Sequence, residues 1–180
     1  MSTLTVQNIQ GSSSSSNTIN VASGHVLNAP GHVLQVKQAT DSTQYTVTST
    51  SFVHGSNTLS VSITPSSANS KILASYSTTA YNETNSSDIH LTIYRDSTNI
   101  GHSSYGLSRI FSNSSNIAVQ MTGQVLDSPN TTSALTYRVY ARVASGTAYY
   151  NGNTLGTITV MEIAQWVLSV NLHSLEYIKE

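Results

Sequence analysis

Cysteine is absent from the chain. That excludes a disulfide framework, a thiolate nucleophile and any Cys-ligated zinc site, and it leaves folding compatible with either redox compartment. Charge is nearly as scarce. Charged residues are 8% of the sequence, against about 25% in an ordinary soluble domain. With seven Lys and Arg, eight Asp and Glu and a net charge of -1, the chain has no basic footprint for nucleic acid or an anionic membrane. No apolar run approaches the ~20 residues that cross a bilayer, so membrane insertion is not expected. Met1–Gln10 (MSTLTVQNIQ) lacks both a basic n-region and an apolar h-region. The expectation is therefore synthesis in a cytoplasm, with release by lysis or as part of a particle.

What the sequence does hold points to strands. Hydrophobic residues make up 38% of the 180 positions, enough for one domain with a core. Ser and Thr fill about 30% of the positions, a composition that favours strands and turns over helices. Residues 1–34 read as an attachment arm, with a serine run at Ser12–Ser16 and the echo Gly24-His25-Val26-Leu27 and Gly31-His32-Val33-Leu34. Residues 35–165 read as a procession of strands. Leu59, Val61 and Ile63 alternate with polar residues, as do Ile89, Leu91 and Ile93; Ile117, Val119 and Met121; and Leu135, Tyr137, Val139, Ala141 and Val143. Less regular strands are expected over Lys71–Thr78 and Thr157–Ala164. Turn clusters fall at Pro65-Ser66-Ser67, Asp96-Ser97-Thr98-Asn99, Ser128-Pro129-Asn130 and Asn151-Gly152. Many short strands with one apolar face each must pair face to face, which gives an all-β, antiparallel sandwich or barrel. Residues 166–180 form an apolar extension, in which Trp166, Val167, Leu168, Val170 and Leu172 are candidates for an assembly interface.

An enzyme is not expected. The eight carboxylates are scattered singly, and the chain carries no G-x-S-x-G elbow, Walker loop or H-E-x-x-H motif. Asp88 and His90 share a strand face and read as a solvated strand edge. His25 and His32 occupy matching places in the echo, but two polar residues of an extended arm are the plainer reading, so no metal site and no cofactor are assigned. Arg138 and Arg142 flank Tyr140 on one strand face. Two cations make a poor nucleic-acid footprint and are expected to form salt bridges or cover ring faces. The N-x-[ST] triplets at Asn82, Asn85, Asn113 and Asn130 are what chance gives in so polar a chain. The informative aromatic is tyrosine, with ten residues against two Phe and one Trp. Rings set among amides and hydroxyls suit polar recognition. Tyr149, Tyr150 and Asn151, at an expected hairpin tip, are candidate glycan contacts together with Tyr105 and Tyr81.

The segments Leu126–Tyr137 (LDSPNTTSALTY), Tyr94–Gly101 (YRDSTNIG) and Thr157–Gln165 (TITVMEIAQ), with the opening LTVQNIQ and VASGHVL, resemble fibre-type virion proteins of marine tailed phages. The resemblance runs from about Leu4 to Gln165. The strand order and the hydrophobic terminal strand are also similar to the C1q/TNF-like jelly roll. What these resemblances imply is a homotrimeric sandwich acting as a virion spike or short fibre, with host surface glycans and other virion proteins as partners. The alternative is a capsid decoration or head-fibre protein, docked on the shell through the arm and the residues after Gln165. The residues from Trp166 onward and the short arm depart from the fibre pattern.

Overall fold

The computed structural model describes residues 31–55, 59–151 and 154–165. Among them eleven strands form and no helix: β1 (Val33–Asp41), β2 (Tyr45–Val47), β3 (Ser60–Ile63), β4 (Lys71–Asn82), β5 (Ser87–Arg95), β6 (Thr98–Asn99), β7 (Ser108–Ser112), β8 (Val119–Asp127), β9 (Leu135–Val143), β10 (Ala148–Tyr150) and β11 (Gly156–Ile163). Every pairing is antiparallel.

The first sheet is built around β4. One edge of β4 pairs with β11 and then β10, and its other edge pairs with β8. β1 lies outside β11, and β2 lies outside β10. In the second sheet β5 is central, with β9 on one side and β7 and β6 on the other, and β3 pairs beyond β9. The backbone ahead of β3 continues along β9: Val143 N–H donates to Ser49 O at 2.9 Å and Ala141 N–H to Val53 O at 2.8 Å.

The alternation read from the sequence becomes the core. Leu135, Tyr137, Val139, Ala141 and Val143 of β9 are all buried, as are Ile89, Leu91 and Ile93 of β5. They meet Ile72, Ala74, Tyr76, Ile158 and Val160 from the first sheet in one apolar cluster, the arrangement of a β-sandwich. Each Ile or Leu taken fully out of water contributes about 1.5–3 kcal/mol. Two polar devices join the sheets. Arg95 of β5 places one guanidinium nitrogen 2.7 Å from both Asp127 oxygens on β8, and the Tyr137 hydroxyl donates to the same carboxylate at 2.8 Å. Glu162 of β11 is 0% exposed. Its carboxylate accepts from Gln35 Nε2, the Ser66 amide and the Ser66 hydroxyl, each at 2.7 Å.

Three expectations need correcting. Ile117 precedes β8 rather than lying in it, and Ile117 and Val119 are 53% and 38% exposed while only Met121 is buried. Among the described residues β8 has no neighbour on its far side, and its first residues are left uncovered. β4 runs to Asn82 rather than Thr78, because β8 pairs with it as far as Ala80 and β10 takes up its other edge from Ala80 to Asn82. The first strand begins at Val33, two residues inside the expected arm. The rest of the arm to residue 30 and the extension with Trp166, Val167, Leu168, Val170 and Leu172 lie outside the described residues.

Candidate functional site

The outer faces of the two sheets are chemically unlike. On the first sheet, strand pairing aligns Val36, Met161, Leu73 and Leu126 in one row from edge to edge. Val36 and Leu126, at its ends, are 52% and 55% exposed. The next rows are Gln38, Thr159, Ser75 and Gln124, then Thr40, Thr157, Ser77 and Thr122. Gln38 Nε2 donates to Thr159 Oγ1 at 2.9 Å, and Gln120 Nε2 to Ser77 Oγ at 2.7 Å, so the polar rows are tied into a ladder. Across these rows no side chain is charged.

Beyond them Tyr81 and Tyr149 pair across β4 and β10 and stack at 4.9 Å. Tyr149 donates to Glu83 at 2.9 Å, and that bond holds its hydroxyl pKa above the usual value. Tyr81 thus lies in a strand rather than a loop. Tyr150, the next residue of β10, points the other way and is 2% exposed. Its ring lies 5.1 Å from that of Tyr45, and its oxygen accepts from Gly55 N–H at 3.1 Å. Burial pushes this hydroxyl up to about 12 despite the Gly55 bond. Asn151 is 0% exposed with φ +61°. Its amide donates to Asp41 O at 2.9 Å and Thr43 O at 3.0 Å. The expected glycan cluster therefore divides. Tyr81 and Tyr149 lie on the first sheet, Tyr105 lies with the second, and Tyr150 and Asn151 sit inside, where no ligand reaches them.

The second sheet's outer face carries charge and rings. Pairing on both sides of β5 sets Arg109, His90 and Arg142 in one row, with Phe111 beside Asp88, Thr92 beside Tyr140 and Tyr94 beside Arg138. Two flanking segments cover part of it. Leu107 N–H donates to Leu91 O at 2.8 Å, which leads the chain back along β5 after a tight turn closed by His102 and Gly106. Gly106 has φ +69°, and a Cβ there would stand 2.3 Å from Leu91 O, so only glycine fits. His102 Nδ1 accepts from the amides of Ser104 and Tyr105, both at 3.1 Å, and fixes the turn that carries Tyr105. The Tyr105 ring then caps His90, with centroids 5.7 Å apart, and the Arg109 guanidinium stands 5.5 Å from the same ring. On the other side Tyr94 and Tyr140 stack at 3.9 Å, His54 meets Tyr140 edge-on at 5.0 Å, and Arg142 lies 5.7 Å from the Phe52 ring.

The electrostatics beneath Tyr105 are unbalanced. Asp88 accepts from Arg109 Nε at 2.8 Å and from its terminal nitrogen at 2.7 Å, and stands 3.5 Å from His90 Nε2. Among the described residues Arg142 donates to Thr50 O, at 3.1 Å, and Arg138 to the Ser60 hydroxyl, at 3.2 Å. Six buried side-chain N or O atoms among the described residues lack a hydrogen-bond partner, and four of them gather here: Asp88 Oδ1, both ring nitrogens of His90, and Arg142 Nε. Burial and the Arg142 charge hold the His90 pKa below the usual imidazole value, outweighing Asp88. The imidazole is therefore neutral at pH 7. Among the described residues no three His, Asp or Glu side chains converge on a metal-sized space, and His32 is exposed.

Asp88 and His90, expected at a solvated strand edge, are instead buried on β5, which is paired on both sides, while Arg138 and Arg142 share a strand face as expected and Tyr105 lies in a loop. Phe52, His54, Tyr94 and Arg109 were missed. Period two gives a side chain's face, but only strand register says who its neighbours are. No protein-family model matches the chain, and no curated protein matches it.

Proposed function

We propose that the chain is a non-enzymatic phage virion structural protein: a homotrimeric spike or short fibre that self-associates through the outer face of its first sheet and contacts the host surface. The observation that carries this reading is the set of three uncharged rows between Lys71 at the start of β4 and Glu83 just past its end, with the apolar row Val36, Met161, Leu73 and Leu126 among them. Rows without charge cost little to desolvate, and the apolar row gains by leaving water. The ladder of hydroxyls and amides beside it retains hydrogen-bonding capacity for a partner of the same kind. A closed ring of identical contacts ends the association at a defined size instead of a filament.

The jelly-roll reading is supported by the strand order. The four-strand path β1-β11-β4-β8 faces β3-β9-β5-β7, and chain neighbours such as β3 and β4 or β8 and β9 lie in opposite sheets. Such crossing between two four-stranded sheets is what a pair of Greek keys produces.

Quantitative mass spectrometry of purified particles, with the major capsid protein as reference, tests the reading. A few to a few dozen copies, in a multiple of three, is the expected result for a tail or vertex fibre. Hundreds of copies would move the role to shell decoration. Absence from the particle would overturn the proposal.

A further inference from the structure

Among the described residues, the second sheet's outer face is where this charge-poor chain gathers its arginines. Three of its four arginines, Arg109, Arg138 and Arg142, stand there. The one carboxylate in ion-pair contact with any of them, among the described residues, is Asp88. Three guanidiniums against one carboxylate leave two positive charges uncompensated, on a chain whose net charge is -1. The exposed groups beside them are aromatic: Tyr105 is 52% exposed and Phe111 53%. His90, by contrast, is 1% exposed and lies directly below Tyr105, with Nε2 3.5 Å from Asp88. Buried polar atoms without partners are uncommon and costly in a finished fold. The four beside Asp88 and His90 lie beneath Tyr105 and out of a ligand's reach, and with Asp88 committed to Arg109 the charges open to a ligand are those of Arg138 and Arg142.

We propose that this face, centred on Tyr105, Arg109 and Arg142, binds an acidic polysaccharide whose sugars carry carboxylates. The inference rests on the host-contact reading and gives it a ligand class. A sugar ring lies on the free face of Tyr105, which an aromatic ring offers at small entropic cost. Its carboxylate meets the terminal nitrogen of Arg109 that Asp88 leaves open, since Nε and the other terminal nitrogen already hold Asp88. Arg142 is two strands away, about 10 Å by the usual strand spacing. One monosaccharide carboxylate does not span that distance, whereas successive units of a polyuronate do. Affinity therefore rises with chain length. Neutral glycans lack the charge that Arg109, Arg138 and Arg142 call for. A nucleic acid brings phosphates, but here it meets three arginines rather than a basic stripe, too few for a strong counterion-release term.

The test uses the purified full chain, immobilised, with mannuronate oligomers of graded length as the probe, and uncharged dextran and poly-dT of matched charge as comparisons. The expected result is saturable binding of the oligomers, at least tenfold weaker binding of the monosaccharide and of poly-dT, and none of dextran. Tyr105→Ala and Arg142→Ala should each weaken oligomer binding at least tenfold. Dextran binding as well as mannuronate, or poly-dT binding more tightly, overturns the proposal, as does full retention of affinity in both variants. The three-polymer comparison on the unaltered chain decides the chemistry even where a variant fails to fold. Because the assay needs no particle, absence of the chain from virions would sink the functional reading and leave this result standing. Failure to bind mannuronate would sink the inference and leave the copy number untouched.

Discussion

Replacing Asn151 separates two contributions that the structure superimposes at one residue. The side chain makes three hydrogen bonds: donations to Asp41 O and Thr43 O at 2.9 and 3.0 Å, and an acceptance from Thr78 Oγ1 at 3.3 Å. Together these are worth about 2–3 kcal/mol, counting the long one at less than the others. The backbone is left-handed, with φ +61°, a conformation that costs an alanine about 1 kcal/mol more than it costs glycine or asparagine. Asn151→Ala should therefore destabilise by about 3–4 kcal/mol, and Asn151→Gly by about 1 kcal/mol less than that. Against a typical total of about 5–15 kcal/mol, the alanine variant gives up a large share. Urea unfolding followed by circular dichroism, at one fixed protomer concentration, measures both. With a slope of about 1.5–2 kcal/mol per molar, the alanine midpoint falls by about 2 M. A loss under about 0.5 kcal/mol for alanine would refute the bracketing role. Equal losses for alanine and glycine would refute the backbone term.

Three other outcomes follow from buried groups. The folded His90 pKa lies below the unfolded value of 6.5, so the unfolded chain binds its proton first. Stability then falls as pH drops below that value, and levels once the folded histidine titrates; thermal midpoints of the parent and His90→Asn, scanned from pH 8 to 4, should diverge in that window. The Glu162 carboxyl is pushed up by burial, but hydrogen bonds from Gln35 and Ser66 outweigh this and hold its pKa below 4.5. Its contribution is complete above 4.5 and lost as pH falls through the folded value. Glu162→Gln should cost about 1.5–3 kcal/mol at pH 7 and remove that acid-dependent share, as read by urea midpoints at pH 7 and pH 3. A Cβ at Gly123 would stand 2.6 Å from the Tyr76 ring, and Tyr76 is 3% exposed with its hydroxyl 2.6 Å from Ser108 Oγ. Gly123→Ala should destabilise by about 1–3 kcal/mol through overpacking, and an unchanged midpoint would show that Tyr76 moves freely.

Where the sequence was legible, one physical signal was enough. Leu135 to Val143 alternates without a break, and all five inward residues are buried. Asp96-Ser97 and Ser128-Pro129-Asn130 turn where their residue types favour it, with Asp96 and Asn130 both at φ +52°. Illegible parts fail for different reasons. β2 and β10 are three residues each, too short to show a period, and exist because β4 is long enough to pair with β10 beyond the end of β11. β7 sends Ile110 toward the core and leaves Phe111 in solvent, so its two adjacent apolar residues give no alternation. Asn151-Gly152 signals a turn, but not that Asn151 closes it from inside. The Arg109, His90 and Arg142 row joins three strands separated by many residues. The sequence gives each member's face, and only register makes them neighbours.

The most direct measurement of the central claim is the mass of the purified full chain in solution, by size-exclusion chromatography with light scattering, beside the variant Leu73→Glu. Leu73 lies mid-row between Met161 and Leu126, on the outer face and away from the core. The expected result is three times the 19.2 kDa chain mass for the unaltered protein, and a folded monomer once a charge stands in that row. A monomer from the unaltered chain, or a Leu73→Glu protein that keeps the trimer mass, would contradict it.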